Sequence, residues 1–359
     1  MNEKIIPIVI PSYEPDERLI ELLKTIPLKD YYIVIVNDGS GDEYKDIFDR
    51  IPQLEGFNGV VLGYDTNCGK GFALKTAFKY LLDKFDNMTG VVTADSDGQH
   101  DINAIRDVSN ALYEHPNSLI MGVRCFDQDD IPWTSVFGNK LTVKVMSFMA
   151  NIKTSDTQTG LRGIPTDFMR ELLDVKGNRF EFETSMLVES AGKYPIFEVP
   201  IATIYDSKEN HQSHFNKITD SYKIYKILFM KFFKFLFSSL SSSVIDILLF
   251  TLFCFLLHKD DTVLYVTIAT ILARIISATY NYLINYIVVF KSKGSISSTL
   301  VKYIILAIVQ MSASALFTTL LVYILPFNAE TIIKMFVDIV LFLISYSIQQ
   351  KLVFVDKKK

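Results

Sequence analysis

The chain has little cysteine. Cys68, Cys125 and Cys254 are scattered and no C-x-x-C pair occurs, which excludes a disulfide framework and a cysteine zinc site and fits a reducing compartment. It also lacks a dominant charge sign: a net charge of -4 and a pI near 5.8 leave no whole-chain basic footprint for nucleic acid. Two nucleotide-binding spacings are missing where they would be needed, G-x-x-x-x-G-K-[ST] and a G-x-G-x-x-G after the first strand, so a nucleotide must be held another way. The first residues, Asn2-Glu3-Lys4, lead straight into a β-type run without the long apolar core of a secretory signal, and the first domain is expected to stay in the cytoplasm.

What is present changes character near residue 235. Before it, charged and apolar residues mix as in a soluble α/β protein; after it, long apolar runs dominate. In the first part, Ile5–Ile10, Tyr32–Val36, Asn58–Tyr64 and Gly90–Val92 read as strands. Each ends in a polar loop, and helical spacing follows at Arg18–Lys24 and from about Gly69 to Leu82. This alternation predicts a mostly parallel sheet wound with helices, its ligand crevice at the strand C-terminal ends.

The most informative loop is Thr93-Ala94-Asp95-Ser96-Asp97-Gly98-Gln99-His100. In extended backbone Asp95, Asp97 and Gln99 face one side, and two carboxylates with a carbonyl are hard ligands suited to Mg²⁺ or Mn²⁺. The alternative is an Asp-rich turn. Among the other loops, Tyr13 can stack on a base, Asp38 can accept from a base N–H, and Gly69-Lys70-Gly71 lets amides and one cation approach phosphate oxygens. Each of these is also compatible with an ordinary turn.

Taken in order, Pro11-Ser12-Tyr13, Val36-Asn37-Asp38-Gly39-Ser40, Asn67-x-Gly69-Lys70-Gly71-x-Ala73 and Asp95-Ser96-Asp97-Gly98-Gln99-His100 resemble the family 2 glycosyltransferases. The resemblance is to their polyprenyl-phosphate sugar transferases, such as dolichol-phosphate mannose synthase, and covers about residues 5–230. It implies a GT-A type domain in which Pro11, Tyr13, Asp38 and Lys70 bind the nucleotide. Asp95 would bind nucleotide and metal, and Asp97 with Gln99 the metal. Arg124, in Met121-Gly122-Val123-Arg124, matches a Gly-Ser-Arg that approaches phosphates; a surface salt bridge is the other reading. The segments Phe137–Thr142 and Asp156–Gly163 resemble those that shape the acceptor side. Asn139 stands where those synthases carry Arg, so lipid-phosphate contact passes to Lys140 or Arg162. Ser213-His214 stands where they present Ser-Lys. In Phe180-Glu181-Phe182-Glu183, Glu183 is expected to charge-match a helix N-terminus.

Lys217–Lys234 places Tyr222, Tyr225, Phe229 and Phe232 at helical spacing among Lys223, Lys226, Lys231 and Lys234, an amphipathic helix for the bilayer surface. Four runs of spanning length follow, about 235–257, 265–288, 300–325 and 331–355. Lysines gather before the first, between the second and third, and after the fourth at Lys357-Lys358-Lys359. The positive-inside rule puts these, both termini and the catalytic domain on the cytoplasmic side of the plasma membrane. Tyr282-x-Ile284-x-x-x-x-Val289-Phe290 aligns with Tyr346-x-Ile348-x-x-x-x-Val353-Phe354, a duplicated two-helix unit, and this half resembles the GtrA-like membrane domains. Asp246 and Arg274 fall near mid-bilayer, where an unpaired charge costs several kcal/mol, and are expected to pair.

The expected organisation is therefore a GT-A domain over 1–216, an interfacial helix over 217–234 and an all-α four-span domain over 235–359. The expected reaction is metal-dependent, inverting transfer of a sugar from a UDP- or GDP-linked donor to a polyprenyl phosphate such as undecaprenyl phosphate, for cell-envelope glycan or teichoic acid modification. Homo-oligomers are compatible with this organisation. A processive polysaccharide synthase is disfavoured, because the one tryptophan, Trp133, is not in a Gln-x-x-Arg-Trp motif. A sugar-lipid flippase or scaffold, or a different acceptor, remain the alternatives.

Overall fold

The computed structural model describes residues 6–124, 133–202, 219–257, 262–292, 294–324 and 330–355. Ser213, His214 and Lys357–Lys359 lie outside the described residues. The chain divides into two compact units, Met1–Ile227 and Leu228–Lys359.

The first unit is built on seven strands: β1 (Ile8–Ser12), β2 (Ile33–Asp38), β3 (Gly59–Tyr64), β4 (Gly90–Thr93), β5 (Leu119–Arg124), β6 (Arg162–Pro165) and β7 (Ile196–Ile201). Helices α1 (Glu17–Thr25), α2 (Lys45–Arg50), α3 (Lys70–Lys84), α4 (Ile102–Glu114), α5 (Trp133–Ala150), α6 (Thr166–Leu172) and α7 (Glu181–Ser190) connect them. The sheet order is β3-β2-β1-β4-β6-β5-β7. All neighbours run parallel except β6, which is antiparallel to both β4 and β5. The inserted β6 was not foreseen from sequence. It is four residues long and carries Arg162 and Pro165, so it has no apolar run to announce it.

Ile8, Ile10, Ile33, Ile35 and Val92 are buried on one face of the sheet, against Leu19 and Leu23 of α1 and Ile105, Val108 and Leu112 of α4. At about 1.5–3 kcal/mol for each fully buried aliphatic side chain, this layer contributes substantially to the stability of the sheet. Local signals fix where those two helices begin. Asp16 accepts from the Arg18 amide and Asp101 from the Ala104 amide, each satisfying a donor that the helix itself leaves open. Because β1, β2 and β4 are parallel, their polar ends emerge together. Pro11 and Ser12 lie beside Val36 and Asn37, and Thr93 leads into the acidic loop.

The second unit continues α8 (Thr219–Leu257) and adds α9 (Thr262–Ile284), α10 (Ile296–Ile324) and α11 (Glu330–Ile348). Four helices, Ser221–Leu257, Val263–Val289, Ile296–Ile324 and Glu330–Val353, are long and apolar enough to cross a membrane. The expected interfacial helix and first span are one uninterrupted helix, since no glycine or proline separates them. The 64-residue repeat has a physical seam. Helices α9 and α11 both widen into a π turn, at Asn285–Val289 and Gln349–Val353, and Asn285 Nδ2 donates to Gln349 Oε1 at 3.1 Å. Phe290 stacks on its repeat mate Phe354 at 5.0 Å between ring centres.

Candidate active site

The loop after β4 gathers a half-buried charge cluster. Asp95 Oδ1 lies 2.6 Å from Lys70 Nζ, at the start of α3, and its Oδ2 lies 3.8 Å from Nε2 of the buried His100. The same Lys70 ammonium is 3.0 Å from Glu183 Oε1 in the first turn of α7. Burial alone would raise Asp95, but the charge of Lys70 and the nearby His100 imidazole outweigh it, and the carboxyl titrates far below its ordinary range. Burial likewise opposes the charge of Lys70, yet the Asp95 and Glu183 carboxylates hold its pKa above the ordinary value. Asp97 is the contrary case. Burial first and the neighbouring Asp95 charge second push it up, against the hydrogen bond it receives from the Gln99 amide at 3.1 Å and the charges of His100 and Lys70. That bond closes a turn over Gly98, whose φ of +76° suits glycine. The acidic stretch is thus a turn and a pair of repelling carboxylates at once.

Around the loops expected to meet the nucleotide the structure is more inward-looking than the sequence suggests. Asp38 is buried at the end of β2, and its carboxylate accepts from Tyr64 Oη (2.6 Å), Asn67 Nδ2 (3.2 Å) and the amides of Cys68 and Gly69 (2.9 Å). These bonds fold the β3–α3 loop back onto β2. Burial and the bond to Asp38 raise the Tyr64 phenol. Gly69 adopts φ +98°, and a Cβ there would lie 2.5 Å from Arg179 Cγ; one on Gly71 would lie 2.4 Å from Phe182 Cβ. The Gly69-Lys70-Gly71 segment therefore packs α3 against the start of α7, with the Gly69 amide and the Lys70 ammonium turned to protein carboxylates. Pro11 is buried and Tyr13 is partly exposed beyond β1. A hydrogen bond with Glu14 and partial burial raise the Tyr13 phenol.

The residues expected on the acceptor side separate. Arg124 closes a two-point contact on Asp156, with Nε 2.7 Å from Oδ2 and Nη2 3.0 Å from Oδ1, and Asp156 is fully buried. Lys140 is exposed on α5. The adjacent Asn139 is buried and bonds Ser155 O and the Thr157 amide, which gives a reason for the small side chain at this position. Arg162 is 1% exposed, its Nε on Thr159 O and its Nη1 on Glu183 O, while Nη2 has no hydrogen-bond partner among the described residues. A lipid phosphate would have to enter the interior to touch it. Burial lowers the Arg162 pKa, and the charges of Glu183, Asp156 and Asp95 oppose that shift.

Sequence reasoning missed the Glu183–Lys70 clasp, the Asp156 partner of Arg124 and the contact of Gly160 with Asp95. Their residue types were visible, but the pairings span distant segments that only the fold brings together. In the second unit Arg274 Nη2 lies 3.1 Å from Asp246 Oδ2, and Ser277 Oγ donates to Asp246 Oδ1 at 2.7 Å.

Residues 8–173 match the family described as Glycosyl transferase family 2, and residues 230–354 match the GtrA/DPMS transmembrane domain. An uncharacterized protein of Methanocaldococcus jannaschii is 27% identical over 239 residues, covering 64% of this chain and 94% of that protein. A UDP-N-acetylglucosamine--dolichyl-phosphate N-acetylglucosaminyltransferase of Methanococcus voltae is 24% identical over 249 residues, covering 64% of this chain and 98% of that protein. The crystal structure of S. aureus TarS aligns with 96% of this chain and 55% of its own length, at 13% identity and a TM-score of 0.41. The chain is an integral membrane glycosyltransferase, a family 2 glycosyltransferase domain followed by a GtrA/DPMS transmembrane domain.

Proposed function

We propose that this glycosyltransferase moves a sugar from a nucleotide-sugar to a polyprenyl phosphate at the cytoplasmic face of the membrane, with inversion at the anomeric carbon. The observation that carries this reading is the union, in one chain, of the acidic loop at the sheet's C-terminal edge with a GtrA/DPMS transmembrane domain. The Methanococcus voltae relative, whose name gives dolichyl phosphate as acceptor, supports it. The lysine-rich segments on one side of the four spans support the cytoplasmic placement.

A divalent cation, Mg²⁺ or Mn²⁺, fits the acidic loop. Asp97 is raised by burial and then by the charge of Asp95, and a cation between such a pair relieves that repulsion. Among the described residues no group of three His, Cys, Asp or Glu side chains is arranged to hold an ion alone. Asp95 and Asp97 would therefore hold it together with Gln99, the donor diphosphate and water. When bound, the cation supplies neutralisation of the leaving diphosphate.

The residues of the chain do the rest. The acceptor phosphate is already an anionic oxygen near neutral pH and needs no strong base. Its oxygen forms the bond to the anomeric carbon while the bond to the donor diphosphate breaks, and the electron pair leaves with the nucleoside diphosphate. Tyr13 and Pro11 border the nucleoside, Lys70 adds positive charge near the diphosphate, and Arg124, fixed by Asp156, approaches phosphate oxygens.

The test is an assay of detergent-purified protein with undecaprenyl phosphate and labelled UDP- and GDP-sugars, beside Asp97→Ala. Label entering the lipid phase with one donor, dependent on Mg²⁺ or Mn²⁺ and lost in the variant, is the expected result. Nucleoside diphosphate release without labelled lipid overturns the acceptor. No turnover by folded protein overturns the reading.

A further inference from the structure

Lys70 is shared by two carboxylates, and only one of them belongs to the acidic loop. Its Nζ lies 2.6 Å from Asp95 Oδ1 and 3.0 Å from Glu183 Oε1. All three side chains are largely withdrawn from water, at 18% exposure for Lys70, 28% for Asp95 and 13% for Glu183, so salt screens the contacts weakly.

Glu183 is held in place by its surroundings. Its carbonyl accepts from the buried Arg162 Nη1 at 2.8 Å, and Arg162 Nε donates to Thr159 O at 3.0 Å. Thr159 precedes Gly160, the residue that backs onto the Asp95 carboxylate. Phe182, next to Glu183, is buried against Gly71 of α3. Arg162 thus ties the backbone behind Asp95 to the backbone that presents Glu183, while α3 brings Lys70 between them. Glu183 lies in the first turn of α7 together with Glu181, and no side-chain hydrogen bond caps that turn, so capping does not account for its contact with Lys70.

An ammonium 2.6 Å from Asp95 competes with any cation for the same oxygen. Were Asp95 the sole partner of Lys70, loosening that contact would leave a shielded ammonium without a counter-charge, which is costly. Glu183 provides the alternative. We propose that Glu183 is a positioning residue that takes up the Lys70 ammonium when a divalent cation and the donor diphosphate engage Asp95, so that Asp95 can serve as a ligand. The inference rests on the cation reading of Asp95 and Asp97 given above.

The test is a double-mutant cycle read as Mn²⁺ affinity of the full-length protein in detergent, with the same concentration of UDP or GDP in every arm and no acceptor, by electron paramagnetic resonance. Glu183→Gln weakens Mn²⁺ binding by about tenfold, a coupling of ordinary size for neighbours in one network. In a Lys70→Gln background the same change has little effect, because the ammonium it managed is gone. Lys70→Arg retains the charge, and there the tenfold loss persists; this arm stands even if Lys70→Gln does not fold. In turnover, Glu183→Gln raises the KM for Mn²⁺ while kcat at saturating Mn²⁺ is largely kept, and Glu183→Asp recovers part of the affinity. A purely structural Glu183 lowers kcat or the melting temperature and leaves the Mn²⁺ dependence in place, which overturns the proposal. An equal loss in the Lys70→Gln background also overturns it, since Glu183 then acts by its own charge. Asp97→Ala separates the two levels. If it binds Mn²⁺ as wild type does, the cation reading falls; if it loses Mn²⁺ while the cycle is additive, only the role of Glu183 falls.

Discussion

Gly160 faces Asp95 so closely that a Cβ built on the glycine would lie 2.2 Å from Oδ2 and 2.5 Å from Oδ1 of the carboxylate. The Gly160 carbonyl also accepts from Thr93 Oγ1 at 2.8 Å, which holds the segment against the end of β4. The Gly160 backbone is tied and cannot retreat, so Gly160→Ala moves the carboxylate. The expected cost is about 1–3 kcal/mol of stability from overpacking. Activity falls by about 100-fold, as for a small misplacement of a reacting or ligating group. Melting and transfer assays on the same preparation check this; wild-type activity in Gly160→Ala would show that Asp95 need not stay where it is.

The Asp38 carboxylate gives a second prediction. It satisfies the Cys68 and Gly69 amides and the Tyr64 hydroxyl, so Asp38→Ala strips several donors at once. Each buried donor left unsatisfied costs about 1–3 kcal/mol. The variant melts lower and its donor KM rises, because the β3–α3 loop loses its anchor. Tyr64→Phe removes one bond and shows a smaller loss of the same kind. A donor effect without any loss of stability would mean that Asp38 serves the base and not the loop.

These two cases mark what the sequence makes legible. Strand-end polar residues, the α/β alternation and the four spans are encoded in local periodicity, which survives any tertiary arrangement. Asp95 and Asp38 stand out because glycine and aspartate cluster at strand ends. Their partners do not stand out. Gly160, Asp156 and Glu183 reach the site through the antiparallel β6 and through α7, and nothing local in those segments specifies the neighbour across the sheet. Arg162 shows the same limit. Basic residues are usually exposed, and only the closed fold shows one buried among backbone carbonyls.

Asp95 and Asp97 are expected to act on stability in opposite senses. Asp97 is raised on folding, so ionising it costs stability as pH climbs from the ordinary carboxylate range through its raised value. Asp97→Asn removes that cost, and the cation-free protein melts higher at pH 7, by about 2–4 °C per kcal/mol recovered. Asp95 is held low, so its contribution is present at neutral pH and is lost as pH falls below the ordinary carboxylate range. Asp95→Asn therefore melts lower at pH 7. Both variants lose transfer activity, and a shift of both melting temperatures in the same direction would contradict the charge balance of the loop.

Arg124 and Asp156 form a two-point contact that lysine cannot reproduce. Arg124→Lys keeps the charge but lets it wander, and kcat is expected to fall by about 100-fold with the fold retained. Asp156→Ala is the harsher change, because it removes the fully buried carboxylate that fixes the Arg124 guanidinium, at a cost of about 3–5 kcal/mol. Expression, melting and turnover of the two variants distinguish lost positioning from lost folding.

Within the membrane domain, Asp246 is 20% exposed and its partner Arg274 is 69% exposed, so the carboxylate is the more enclosed member. Removing the arginine strands a charge whose remaining partner among the described residues is Ser277. Removing the aspartate leaves a long side chain that can bend toward the interface. Arg274→Leu is therefore more damaging than Asp246→Leu, by an amount bounded by the roughly 2.5–3.5 kcal/mol for one charge at the centre of a span. The double variant Asp246→Leu/Arg274→Leu recovers folded protein relative to Arg274→Leu, because no charge is left to bury. Monodisperse yield and melting in detergent give the comparison. A double variant worse than either single one would mean that the pair contributes more than mutual neutralisation.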